Sequence, residues 1–320
     1  MAELAPSRFN NVQELSHQLH SIIDYIRFAM SEFNQHDVYF GHGTENPWQE
    51  AHRLVFSALA LPLDISPQEQ AVFYPCTLTH DERATILSWI KTRCEEGLPL
   101  PYLTQQAWFA GMPFFVDERV LIPRSPFAEL IANKFSDYVS LPENPTILDM
   151  CTGGGCIAIA LAFAFEEAQV DAVDIDSDAL DVASFNIASY QLDERVFPMQ
   201  SDLFSNLGEQ KYDLLVVNPP YVDAEDMDDL PREYHHEPEL ALASGEDGLD
   251  LTLQLLKSAS KHMNENAWLF VEVGNSEVNF ADRFAELKVH WCELSQGGSG
   301  IFAINKAQLD AQAQLLENLE

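Results

Sequence analysis

A doubly wound α/β sheet joined to a smaller helical domain is the fold class that this 320-residue sequence predicts, on three observations. Apolar positions in the first hundred residues recur at helical spacing. Two short alternating runs flank Gly111-Met112-Pro113, the pattern of a β-hairpin. From about Phe127 onward, short apolar runs of strand character alternate with helical stretches, which argues for a mostly parallel sheet covered on both faces. The expected layout is a helical domain over 1–100, a β-hairpin linker over 101–126, the sheet domain over 127–306 and a C-terminal tail over 307–320.

In chain order, Leu15, Leu19, Ile22, Ile23, Ile26 and Met30 mark one helical run, and Glu50 to Leu61 a second. Thr79-His80-Asp81-Glu82 is a capping signal for a third helix reaching about Cys94, and Gly97-Leu98-Pro99-Leu100-Pro101 breaks the pattern. Trp108-Phe109 and Phe114-Phe115-Val116 supply the two arms of the hairpin. Strands are expected at Ile147–Asp149, Val170–Ile175, Val196–Met199, Tyr212–Val217, Trp268–Val273 and Ile301–Ile304, with helices over Cys156–Glu166, Ser177–Tyr190 and Glu246–Met263. Asp223–Gly245 is too long and acidic for an ordinary connection; its His235, His236 and Glu237 are expected to be solvated.

Charge and cysteine usage narrow the class. Acidic residues number 51 against 17 basic, a formal net charge of −34, and basic residues occur only as scattered pairs such as Lys91/Arg93. That surface repels phosphate backbones, so direct nucleic-acid binding is not expected; it serves solubility or a salty habitat first, and would also attract a basic protein partner. The five cysteines show no C-x-x-C pairing, and the ten histidines show no H-x-x-x-H spacing, so neither a disulfide framework nor a metal site is expected. Met1-Ala2-Glu3-Leu4-Ala5-Pro6 lacks the order of a signal peptide, and no apolar run approaches the roughly 20 residues of a membrane helix. The expected compartment is the cytoplasm.

The strand Thr146-Ile147-Leu148-Asp149-Met150 leads into Cys151-Thr152-Gly153-Gly154-Gly155-Cys156 and then a helix, where glycines allow backbone N–H groups to approach a ligand. Asp174 ends the next strand, placed to hold the hydroxyls of a ribose. A nicotinamide cofactor and S-adenosylmethionine both satisfy this pair. Two features favour the sulfonium: Asp149 at the mouth of the first strand would repel a pyrophosphate but tolerate a cation, and Cys151 stands where the dinucleotide fingerprint has its first glycine. A third strand ends in Ser201-Asp202-Leu203-Phe204, where Asp202 can accept an adenine amino group while Leu203 or Phe204 packs the ring. The expected cofactor residues are Asp149, Cys151, Thr152, Gly153, Gly155, Asp174, Asp202, Leu203 and Asn218.

Asn218-Pro219-Pro220-Tyr221 follows the apolar run Tyr212–Val217. The Asn218 side-chain carbonyl and the Pro219 backbone carbonyl are two acceptors, matched to the two donors of a planar NH2 group. Each proline fixes φ and removes a donor, stiffening the turn, and Tyr221 offers a ring face to a flat group. These four residues are the expected catalytic set.

With those residues in hand, the chain resembles the class I S-adenosylmethionine-dependent methyltransferases, whose fold is Rossmann-like. The glycine turn, Asp174, Asp202 and Asn218-Pro219-Pro220-Tyr221 fall in that family's order. Within the family, Asn-Pro-Pro-Tyr implies methylation of a planar nitrogen, either protein glutamine or DNA adenine. Phe115-Val116-Asp117-Glu118-Arg119-Val120-Leu121-Ile122-Pro123-Arg124 is similar to the linker of the bacterial glutamine methyltransferases. Ser125-Pro126-Phe127-Ala128-Glu129 departs from the Pro-Glu-Thr continuation of the release-factor branch. Together with Leu103–Phe109 and Glu233–Leu240, this is similar to the branch acting on ribosomal protein three of the large subunit. The resemblance spans residues 10 to 306. It implies a basic ribosomal protein as partner, substrate selection by the helical domain, and substrate contacts from Arg124, Asn218 and Tyr221.

Overall fold

A computed structural model describes Phe9, residues 12–295 and residues 297–319. The first eight residues of the expected helical domain and Glu320 of the expected tail lie outside the described residues. The chain divides into two compact units, one of Met1–Gln106 with Pro231–His236, the other of Ala107–Leu230 with Glu237–Glu320.

The helical unit contains helices Val12–Gln18, Ile22–Gln35, Pro47–Ala58, Pro67–Phe73, His80–Glu95 and Leu100–Thr104. The first periodic run is split, because Asp24 Oδ2 accepts the Ser21 N–H at 2.9 Å and the Ser21 hydroxyl at 2.8 Å, starting a new helix at Ile22. The second helix starts before Glu50: Asn46 Oδ1 accepts the Gln49 N–H at 3.0 Å and Pro47 occupies the first turn. The Thr79 cap is as expected, with the Glu82 carboxylate accepting the Thr79 N–H at 2.7 Å. Tyr25, Ile26, Phe33, Leu54, Phe56, Ile86 and Ile90 form the buried centre of the unit.

The second unit opens on the hairpin of β1 (Ala107–Phe109) and β2 (Met112–Phe114). Its turn is Ala110-Gly111, both at positive φ, so Met112 and Pro113 belong to β2 rather than to the turn. The central sheet contains β3 (Thr146–Met150), β4 (Gln169–Asp174), β5 (Val196–Gln200), β6 (Tyr212–Val217), β7 (Met263–Glu272), β8 (His290–Trp291) and β9 (Ile301–Asn305). Its order is β5-β4-β3-β6-β7-β9-β8. Pairs from β5 through β7 are parallel, while β9 runs antiparallel to β7 and β8. Pro198 is tolerated because β5 is an edge strand.

Alternation along the strands divides the core. Ile147, Val170, Leu214, Val216 and Phe270 face one layer of helices, and Leu148, Met150, Val173, Leu215, Val217 and Val271 face the other. Burial on both faces is why these strands read as continuous apolar runs. The strand order reverses between β3 and β6, which opens a crevice at their carboxyl ends. Past β9, Leu309 and Leu316, on helices Lys306–Ala311 and Ala313–Glu317, are buried in the second layer.

Two expected elements change. The helix expected over 246–263 is Asp250–Ala259 followed by a single 3₁₀ turn, Ser260–His262. Gly248 sits at φ +78°, and a Cβ there would lie 2.2 Å from the Tyr221 carbonyl oxygen, so the backbone ahead of Leu249 is shaped by that close approach and not by helix. The segment 223–245 carries helix Ala224–Asp229 and 3₁₀ turns Arg232–His236 and Glu239–Ala241. Glu237 is buried, not solvated, because it accepts the Ile122 N–H at 2.9 Å and pairs with Arg124 at 2.8 Å.

Candidate active site

A cavity lies at the carboxyl ends of β3 to β6, lined by the glycine turn, Asp174, Asp202, Leu203, Asn218 and the strap Arg119–Ser125. The turn after β3 is held in a conformation that only small or strained residues adopt. Cys151 is at φ +61°, Gly153 at +52° and Gly155 at +81°. A Cβ on Gly153 would meet nothing within 4 Å, so its backbone faces open space, whereas one on Gly155 would lie 3.2 Å from Ala183 Cβ. Gly155 therefore serves helix packing and does not line the cavity.

Asp149 does not line it either. It lies within β3, fully buried, with Oδ2 accepting the Thr152 hydroxyl at 2.5 Å and the Ala158 N–H at 2.9 Å. The expected direct contact with a cationic ligand is replaced by a role inside the turn, which this carboxylate ties to the helix Cys156–Ala164. Burial raises its pKa to about 7, against the Thr152 and Ala158 hydrogen bonds and with the charge of Asp174 adding to the rise.

Asp174 ends β4 on the cavity wall. Its Oδ2 accepts the Gly153 N–H at 2.8 Å and its Oδ1 the Asp176 N–H at 3.0 Å. Each oxygen retains a lone-pair direction for a hydroxyl donor, so two adjacent ribose hydroxyls fit. Burial raises its pKa, against the Asp176, Gly153 and Ile175 amides and with the charge of Asp176 adding to the rise. Leu203 lines the cavity in a left-handed conformation, φ +46°, next to exposed Asp202. Phe204 instead stacks on His262, ring centroids 4.6 Å apart, in the second core layer. With Met150, Ile157 and Ile175, Leu203 gives apolar walls for a purine.

Asn218 and Pro220 line the cavity; Pro219 is buried behind them. Tyr221 turns away. Its hydroxyl donates to Glu272 Oε1 at 3.1 Å, its carbonyl accepts from Ser276 Oγ at 2.7 Å, and its ring lies over Gly274, where a Cβ would be 2.4 Å from a ring carbon. The ring face expected to receive a flat group is thus occupied on the side of Gly274. Arg124 lines the cavity with its Nη1 donating to Glu237 and to the Ile122 carbonyl.

Glu237, which pairs with Arg124, and Glu272, which accepts from Tyr221 and Ser125, are the buried carboxylates beside the cavity that sequence reasoning misplaced or missed. Their partners lie 115 and 147 positions away, so no local spacing marks them.

Open glycine backbone, a strand-end carboxylate, apolar walls and two lining arginines already paired, Arg119 with Asp117 and Arg124 with Glu237, suit an uncharged nucleoside bearing a sulfonium better than a pyrophosphate. Seated at the switch point of this strand order, such a cradle makes the chain a class I S-adenosylmethionine-dependent methyltransferase. Residues 128–245 match the family model described as the methyltransferase small domain. Over 298 residues the chain is 45% identical to the ribosomal protein uL3 glutamine methyltransferase of Francisella tularensis, covering 93% of this chain and 94% of that one. It is 43% identical to the protein of the same name from Neisseria meningitidis serogroup A, covering 92% and 96%. A crystal structure of a methyltransferase from Pyrococcus furiosus is similar at 17% identity and a TM-score of 0.43, over 71% of this chain and 99% of that chain. The chain belongs to the ribosomal protein uL3 glutamine methyltransferase family.

Replacing Asp174 with Ala is expected to raise the dissociation constant for S-adenosylmethionine about a hundredfold, through loss of two charge-assisted hydrogen bonds and of the Gly153 tether. Isothermal titration checks this; unchanged affinity would assign the ribose to a different carboxylate.

Proposed function

We propose that this chain methylates the side-chain amide nitrogen of a glutamine in ribosomal protein uL3, in the cytoplasm, with S-adenosylmethionine as donor. The observation that carries the reading is Asn218, a neutral amide on the cavity wall at the end of β6, in a chain 45% identical to a relative of that name. Its side-chain carbonyl, with that of the Pro219 backbone, accepts two N–H donors and would turn away a carboxylate.

When bound, S-adenosylmethionine supplies a methyl group on a positively charged sulfur. An amide nitrogen is a poor nucleophile because its lone pair is conjugated with its own carbonyl. Two acceptors on its N–H bonds place negative potential at that nitrogen and fix its direction. Pro219 and Pro220 hold the acceptors still, so orientation entropy is lost on binding and not in the barrier. Arg124, latched to Glu237, closes the strap over the site. The net charge of −34 supports recruitment of a strongly basic protein and disfavours direct contact with nucleic acid.

The test is transfer of labelled methyl from the cofactor to purified uL3, a peptide chain release factor and adenine-containing DNA in parallel. Label on a uL3 glutamine alone is expected. Label on the release factor or the DNA in preference to uL3 would overturn the substrate assignment.

A further inference from the structure

Segment 272–276, which leaves β7, grips Tyr221 at its hydroxyl, its ring and its carbonyl, through Glu272, Gly274 and Ser276 respectively. The other carboxylate oxygen of Glu272 accepts the Ser125 hydroxyl at 2.5 Å. Ser125 itself follows Arg124 on the strap, lines the cavity, and accepts the Phe127 N–H at 3.1 Å to start the helix Phe127–Ala132. One buried side chain, 3% exposed, therefore joins the last residue of Asn218-Pro219-Pro220-Tyr221 to the strap. Nothing in the transfer itself uses this carboxylate.

We propose that Glu272 is a positioning residue for methyl transfer, and that Tyr221 acts through it as the anchor of the acceptor segment rather than as a stacking surface. The proposal rests on the methyltransferase reading. An ionised carboxylate is acceptor-only, so it takes both hydroxyl hydrogens in charge-assisted bonds; a protonated one accepts from one hydroxyl and donates to the other, which must turn to accept, so both ties become neutral and weaker. The geometry of Asn218, three residues before Tyr221, then relaxes, and a displacement near 1 Å is enough to cost rate heavily.

Burial pushes the Glu272 carboxyl up to about 7, against the Ser125 and Tyr221 hydrogen bonds and the charge of Arg124. The groups facing it are Tyr221 Oη, Ser125 Oγ, the Arg124 guanidinium and the Cys156 thiol, which senses its charge. Asp149 also reaches about 7, so the Glu272 contribution is read from variants and not from the native profile alone.

The experiment compares native enzyme, Tyr221→Phe, Glu272→Gln and the double variant on uL3. Phenylalanine keeps the ring and removes only the hydroxyl. Each single variant is expected to lower kcat about tenfold, with the cofactor Kd within about twofold, and the double variant no further than either single. The part of the acid limb of kcat near pH 7 that belongs to Glu272 is expected to vanish in Glu272→Gln. Native kcat in Tyr221→Phe, or losses that multiply in the double variant, overturns the proposal. Inactive native enzyme would instead overturn the substrate reading. If Glu272→Gln fails to fold, Tyr221→Phe alone separates anchor from stacking surface.

Discussion

Asn218→Ala is expected to lower kcat for methyl transfer by about three orders of magnitude while leaving the dissociation constant of S-adenosylmethionine within about twofold. The size follows from what is removed. On the proposed reading the Asn218 carbonyl is one of two acceptors for the reacting amide, and its loss gives up both the negative potential on the nitrogen and the alignment of its lone pair. The small effect on the cofactor is expected because Asp174, Leu203 and the glycine turn line the cavity from elements other than β6. Asn218→Asp is the sharper companion. It preserves shape and one acceptor oxygen but brings a negative charge toward the sulfonium, so cofactor affinity is expected to hold or rise while kcat falls. Single-turnover transfer to uL3 and titration of the cofactor measure the two quantities separately. Equal loss of both in Asn218→Ala would show that Asn218 is a cofactor ligand first.

How much of this was legible in the sequence depends on whether the determining contact is local. Asn218 could be read because the apolar run Tyr212–Val217 fixes a buried strand and ligands collect at strand carboxyl ends. Asp174 and Asp202 follow from the same rule. Asn46-Pro47, a cap followed by proline in the first turn, is a local signal of the same kind. Glu237 was not readable: a glutamate in an acidic stretch gives no sign that Ile122 N–H and Arg124 will bury it. Glu272 looks like the polar end of a strand until Ser125 and Tyr221 are both seen to donate to it. Asp149 shows the reverse failure, since the right residue type at the right strand end turned inward to Thr152 and Ala158. Strand ends tell where a carboxylate lies, not which way it points.

The same long-range logic governs the helical unit, where Arg93→Ala is expected to cost about 3–5 kcal/mol. Arg93 is 1% exposed. Its Nε donates to Glu50 at 2.7 Å, Nη1 to Glu233 at 3.0 Å and Nη2 to the Tyr39 carbonyl at 2.7 Å. Glu50 also accepts the Thr44 hydroxyl at 2.5 Å, and Glu233 the Tyr39 N–H at 2.9 Å. Burial on its own would raise the Glu233 pKa, but the Tyr39 amide and Arg93 outweigh it and leave it lowered. The sign of the pH effect follows. In the native unit, Glu233 contributes stability above its unfolded pKa, and that contribution is lost as pH falls through the lower folded pKa. Without Arg93, Glu233 loses the charge that helps hold its pKa down and keeps only the more distant Arg232, 4.0 Å away, so the defect is largest where Glu233 is ionised and shrinks as pH falls and it protonates. Arg93→Lys keeps the charge but not the fork and is expected to lose about half as much. Hydrogen exchange over Ile22–Gln35, Pro47–Ala58 and His80–Glu95, together with proteolysis at 231–236, measures the loss. A change under about 1 kcal/mol, or one independent of pH, would mean that neighbouring dipoles and not the guanidinium neutralise the pair.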